Sequence, residues 1–350
     1  MGCAFVFLAL LPARAANWSV HVQPARIVNG APLLFQVKSP EKVDSLSGTW
    51  LGHHLTFIYN TATRNWNAFA GVSIETAPGS YPLELIAARN SSARPLTLSR
   101  KVSISRAKYP RIKVALAVDE KFTEPTPEQL KQIEEAKTIK EDYLNRVTPD
   151  REWSGKFTAP TAGSISDVFG SERIFNGKTS SPHLGLDFRV PSGTPVAAMN
   201  DGTVLLARPL YFEGNFVVLD HGQGLLTLYL HLSEFKVKEG EVVKRGQIVG
   251  LSGGTGRATG PHLHVAVRWQ GTYLDPVRMM QLPLPTGSVQ NSSQTSRLAP
   301  QSSLSFAQSF AQDVFQRQVP NQTVQVIRMH SENLCRFDVI ASGLPNRIQN

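Results

Sequence analysis

Short β-type runs cut by turn residues fill most of the chain from Trp18 onward, and they leave little room for any but a mainly β architecture. WSVHVQP, PLLFQVKSP, HLTFIYN, YPLELIAA and KVSIS follow one another between Trp18 and Leu116. Gly30, Asn60, Pro78-Gly79 and Asn90 separate them at roughly the spacing of an antiparallel sandwich. The pattern predicts an N-terminal immunoglobulin-like β-sandwich over residues 16–118. Nothing in it has catalytic spacing, so His21, His53 and His54 read as surface residues of strands or turns.

One stretch breaks the β pattern. TEPTPEQLKQIEEAKTIKEDYLNRV has a readable helix start: Thr126 as N-cap, Pro127 in the first turn, and Gln129 completing a capping box. Leu130, Ile133, Ala136, Tyr143, Leu144 and Val147 form an apolar stripe with Glu and Lys opposite. Residues 119–155 are thus expected to be a helical connector that packs on one neighbour.

β-type text returns over 156–282, now rich in Gly and His. Near its end the chain reads GPHLHVAV. In a strand, residues i and i+2 share a face, so His262 and His264 would present two imidazoles to one surface. Val265 and Val267 favour extended structure, and Gly260-Pro261 cannot lie inside a helix. Such a pair suits a metal site, a catalytic pair, or one of each.

Further metal ligands are expected in SPHLGLDFRVPSGTPV, where His183 and Asp187 stand four apart. A straight strand would separate them by about 13 Å, too far for one ion with bonds of ~2 Å. A bend at Gly185, which can adopt unusual φ values, would let both groups converge. One zinc could then take His183, Asp187 and one of His262 and His264. Three protein ligands leave a fourth position for water, the arrangement of a catalytic site. Hydrolysis would also need a proton acceptor and a donor to the developing oxyanion. The remaining histidine of the pair and His231, at the end of LDHGQGLLTLYLHLSEF, fit those needs.

The stretch from about Ala159 to Arg278 resembles the lysostaphin/LytM-type zinc endopeptidases. FGSERIFNGKTSSPHLGLDFRVPSGTPVAAMNDGTV, GNFVVLDHGQGLLTLYLHLSEF and VKEGEVVKRGQIVGLSGGTGRATGPHLHVAVRWQG carry it, with the H-x3-D and H-x-H motifs in the family's order. The resemblance implies an antiparallel β half-barrel with an open groove, a catalytic Zn2+, and hydrolysis of cross-links or stem peptides of bacterial peptidoglycan. It implies His183, Asp187 and His264 as zinc ligands and His231 and His262 as the catalytic imidazoles assisting a zinc-bound water. Arg173 and Asn215 are expected along the substrate groove. An N-terminal domain like those of some exported relatives would position the enzyme or cover that groove.

Two other classes fit parts of the sequence. Some relatives of this fold have lost zinc ligands, bind the wall and activate separate amidases; here all five residues are present. VKEGEVVKRGQIVG resembles the turn text of biotinyl and lipoyl carrier domains, but Lys236, Lys238 and Lys244 lie outside the exposed hairpin that such modification needs.

The remaining expectations concern the surroundings. The apolar stretch Ala4–Leu11 followed by Ala13-Arg14-Ala15 predicts an export signal over 1–15, too short to span a bilayer, and a mature chain in the periplasm, envelope or medium. Loss of Cys3 with that signal would leave Cys335 without an internal disulfide partner. The net charge of +9 favours anionic surroundings such as a wall polymer. No Lys/Arg run or aromatic-interleaved basic patch points to nucleic acid. Past Gly287 the text turns Ser/Gln-rich and low in charge, so 283–350 is expected to be a disordered tail.

Overall fold

The computed structural model describes residues 18–89, 94–110, 113–177 and 179–286. The expected export signal over 1–15 lies outside them, as does the tail expected over 283–350 apart from residues 283–286; there the expectation fails, because Leu284 is buried and the Pro285 carbonyl accepts from the Gly155 N–H. The described residues are mainly strand, with α-helices at Pro127–Leu144 and Pro276–Gln281 and a short 3-10 turn at Glu120–Phe122. No described helix is long and apolar enough to cross a membrane.

Two antiparallel-rich sheets form the N-terminal part. One joins Ser19–Gln23, Pro32–Lys38, Asn65–Gly71 and Ile58–Asn60. The other joins Ile27–Val28, Leu96–Ser105, Gly79–Ala88, Ser45–Trp50 and His53–Thr56. Period-two patterning explains the layering: Leu83, Leu85 and Ala87 are buried while Glu84 and Ile86 between them face solvent. The run HLTFIYN is not one strand. Phe57 is buried between His53–Thr56 and Ile58–Asn60, and the chain changes sheet there.

The C-terminal part is a curled eight-stranded sheet, the half-barrel expected from the sequence. Its order is Ser164–Asp167, Leu186–Arg189, Leu263–Trp269, Leu225–Leu232, Gly214–Asp220, Gly202–Leu210 and Val242–Val243, with Thr272–Leu274 paired beside Leu263–Trp269. Both faces are covered, which is why LLTLYLHL is apolar almost throughout. Leu225 and Tyr229 face the main core, whereas Leu226 and Leu228 face a second cluster with Ala136 and Leu144 of the long helix. The capping box at Thr126 and Gln129 forms. Only the C-terminal half of that helix lies on the sheet, however. Leu130 is 50% exposed, and Val147, 56% exposed, stands beyond the helix end at Leu144.

The main core runs without a break from the N-terminal sheets into the half-barrel. Phe69 packs edge-on against Trp153 and Trp269, with centroids 6.3 and 6.2 Å apart. A side chain at Gly71 would collide with Leu274. On leaving the sandwich, the chain forms the strand Lys113–Leu116, which pairs in parallel with Glu172–Phe175; that strand in turn pairs with Thr179–Pro182.

Candidate metal centre and active site

Three adjacent strands bring the separated histidines together. Asp187 lies directly opposite His264, and Leu230 is the partner of His264 on its other side. His183 follows the strand Thr179–Pro182, and the chain bends before Leu186. His183 Nε2 sits 3.1 Å from His264 Nδ1 and 3.2 Å from Asp187 Oδ1, and His264 Nδ1 is 2.7 Å from the same oxygen. His183 and Asp187 are buried, and the His264 side chain is 12% exposed.

The bend at Gly185 is present, but for a different reason from the one expected. Gly185 is not among the residues with positive φ. A Cβ there would lie 2.5 Å from Cε1 and Nε2 of His264. The glycine is needed because the imidazole rests on its backbone, not because its dihedral is unusual.

His231 is presented by a bulge. Asn215 pairs with Leu232 and Val217 with Tyr229, so Leu230 and His231 stand opposite the single residue Phe216. His231 has φ 62°, a left-handed conformation that costs a non-glycine residue about 1–3 kcal/mol. Its N–H donates to the Glu213 carbonyl at 2.9 Å, and Nδ1 faces the Thr255 carbonyl at 2.8 Å. An Nδ1–H bonded to Thr255 leaves Nε2 for the site. Lys140 of the long helix pairs with Glu213 at 2.6 Å, tying the helix to this turn. His262 Nδ1 faces the Gly260 carbonyl at 2.8 Å. The His231 and His262 rings lie 4.9 Å apart, and His231 is 6.1 Å from His264.

A second layer fixes the first. His183 Nδ1 lies 2.9 Å from the Val168 carbonyl and 3.2 Å from Asp167 Oδ2, so an Nδ1–H has acceptors and the lone pair falls on Nε2. Asp167 also accepts from Ser171 Oγ at 2.7 Å and Arg173 Nε at 2.9 Å. Arg173 bonds the outer oxygen of Asp187 as well. The expected groove residues therefore part company. Arg173 lines the cavity but is bound to two carboxylates. Asn215 is not among the lining residues; its amide donates to the Ser233 carbonyl and its N–H to Thr255 Oγ1.

Asp167 and Thr255 were missed in the sequence. Asp167 ends an unremarkable strand, and Thr255 meets the His231 ring through its main-chain oxygen, which no residue type signals.

Electrostatics follow this packing. Burial pushes His231 down to about 3, aided by His262 and His264. Burial likewise takes His264 down to about 4 against the pull of Asp187. For His183, burial works downward too, but the bonds to Asp167 and Asp187 outweigh it and its pKa is raised. Burial would raise Asp187, yet the bonds from His183 and His264 hold it well below the usual carboxylate range. Asp167 is lowered in the same way, burial being outweighed chiefly by His183.

The donor set fits a zinc ion. A tetrahedral ion with bonds of about 2.0–2.1 Å has ligand atoms on the order of 3.3 Å apart, close to the observed 2.7–3.2 Å. One carboxylate oxygen and two imidazole nitrogens, one of them oriented by a carbonyl, are zinc ligands by type. The adjoining cavity, about 260 Å³, is bounded by Asp187 and His262 on the sheet side, by Arg257–Pro261, and by Val114 and Leu116 of the incoming strand.

The model of peptidase family M23 matches residues 181–276. The peptidoglycan DD-endopeptidase ShyA of Vibrio cholerae is 48% identical over 111 residues, 32% of this chain and 25% of that protein. This chain thus spans about a quarter of the length of that curated relative. A candidate M23 peptidase of Pseudomonas aeruginosa, known as a crystal structure, is 29% identical with TM-score 0.57, covering 73% of this chain and 95% of that one. The catalytic domain of lysostaphin from Staphylococcus simulans is 32% identical over 40% of this chain and 96% of that one, with TM-score 0.28. The half-barrel with its paired H-x3-D and H-x-H motifs is accordingly a peptidase family M23 domain.

Proposed function

We propose that this chain is a zinc-dependent endopeptidase that hydrolyses peptide cross-links or stem peptides of bacterial peptidoglycan in the cell envelope. The observation that carries the reading is the convergence of His183 Nε2, Asp187 Oδ1 and His264 Nδ1 beside two further imidazoles. The name of the Vibrio cholerae relative supports the substrate class. The apolar N-terminal stretch and the positive charge support an envelope location.

His183, Asp187 and His264 would hold the zinc. A zinc bound there supplies Lewis acidity, polarising the scissile carbonyl and making water a competent nucleophile near neutral pH. The protein contributes the remaining groups. With their Nδ1–H groups on the Thr255 and Gly260 carbonyls, His231 and His262 both present Nε2. Between them they accept the proton lost by the attacking water and donate to the oxyanion or the leaving nitrogen. The bulge and the carbonyls fix both rings before substrate arrives, so little reorganisation is needed at the moment of reaction.

Purified sacculi test this. The zinc-loaded protein should release muropeptides, and His231→Ala or His262→Ala should each slow release by about 10²-fold or more while keeping zinc. Normal turnover in either variant would contradict the assigned roles. Wild-type protein that holds zinc yet releases nothing would contradict the reading itself.

A further inference from the structure

The cavity beside the metal centre carries a cation that the hydrolytic machinery does not use. Arg189 stands two residues after Asp187 on the same strand, so the two side chains share the groove face, with their Cα atoms about 7 Å apart. Arg189 is exposed and lines the cavity with His262, and among the described residues its side chain has no hydrogen bond or ion pair. The acids of that cavity are engaged elsewhere: Asp167 and Asp187 hold Arg173 and the two ligand histidines. A second guanidinium borders the same space. Arg257 stacks on Phe175 and Phe212, at 4.2 and 4.7 Å from the ring centroids, and is thereby held in place.

We infer that Arg189, in a cavity that Arg257 also borders, forms a carboxylate-binding subsite next to the scissile bond. The preferred substrate would then bear a free carboxylate on a residue flanking that bond. The inference rests on the peptidase reading and deepens it. A guanidinium offers paired coplanar donors matched to a carboxylate. Seven ångströms is about two residues of extended chain, the distance from a carbonyl at the metal to a group on the neighbouring residue. A bridge made only of glycine has no such group within its run. A cross-link through the side-chain amine of a diamino acid keeps a carboxylate on the same residue as the leaving nitrogen. The acyl side is the other source of this chemistry.

Three cross-linked muropeptide dimers separate the cases: one with free carboxylates, one converted to the carboxamide on the leaving-side residue, and one converted on the acyl-side residue. The zinc-loaded full chain should cleave the free dimer with kcat/KM at least 10-fold above one of the two amides, which identifies the side. Arg189→Gln, an exposed change that does not touch the core, should bring that ratio close to one. Equal rates on all three dimers, or a ratio that survives in Arg189→Gln, would overturn the subsite. If the wild type cleaves none of them, the peptidase reading fails. Calorimetric binding of the same three dimers then still decides the subsite: discrimination that Arg189→Gln removes supports it, and equal affinity for all three overturns it.

Discussion

Arg173 lines the cavity, yet its bonds give it a second task that its place in the sequence does not signal. Its guanidinium spans Asp167 and Asp187, which otherwise would face each other across the site as two partly buried anions. It also occupies the outer oxygen of Asp187 and leaves Oδ1 toward His183 and His264. Arg173→Ala should therefore weaken zinc binding by about 10–100-fold, as removal of partners behind metal ligands does, read by chelator competition. Lysine should recover only part of this, because its single ammonium cannot bridge two carboxylates as a planar fork does. If Arg173 served only to line the groove, KM would rise and zinc affinity would stay at the wild-type value. The sequence showed an arginine close to H-x3-D but not which of its neighbours it would bond, since that depends on how the strand Glu172–Phe175 lies beside Ser164–Asp167.

At the scale of elements, what could be read in advance was periodicity. The i, i+2 spacing of His262 and His264 survives folding, because a strand preserves it, and the four-residue spacing of His183 and Asp187 required the bend that is found. The capping box was equally legible because its partners are local. Long-range matters were not. No local pattern says that Leu230 and His231 share one opposing residue, or that Phe57 marks a change of sheet.

The strand pair Gly214–Asp220 and Leu225–Leu232 adds a pH dependence of its own. His221, at the turn between them, is fully buried; its Nδ1 faces the Asp201 carbonyl at 2.6 Å and Nε2 faces Thr227 Oγ1 at 2.8 Å. Burial lowers it to about 4. A histidine whose folded pKa lies below its unfolded value of about 6.5 stabilises the fold fully above that value. The contribution, on the order of 3 kcal/mol, is lost as pH falls from about 6.5 toward 4. Urea midpoints across that range should fall more steeply for the wild type than for His221→Asn. Parallel slopes would contradict the assignment.

For the whole molecule, the continuous core is the main surprise. The sequence divides into a sandwich, a helix and a half-barrel, and each is present as a set of strands or a helix. The packing that joins them depends on Phe69, Gly71, Trp153, Trp269 and Leu274, which are far apart in sequence. The strand Lys113–Leu116 likewise leaves the sandwich to hydrogen-bond beside the site. Residues 18–286 belong to one compact unit and should unfold in one calorimetric transition. Phe69→Ala removes an aromatic ring from that shared core and should cost about 3–5 kcal/mol, lowering the temperature of the whole transition. Two transitions, of which Phe69→Ala moves only one, would contradict a shared core.

The most direct test of the account is the zinc content of the purified chain. Wild-type protein and His231→Ala should each hold one zinc per chain, while Asp187→Ala and His264→Ala, still folded by circular dichroism, should hold almost none. Equal zinc in all four proteins, or none in the folded wild type, would contradict a centre built from His183, Asp187 and His264.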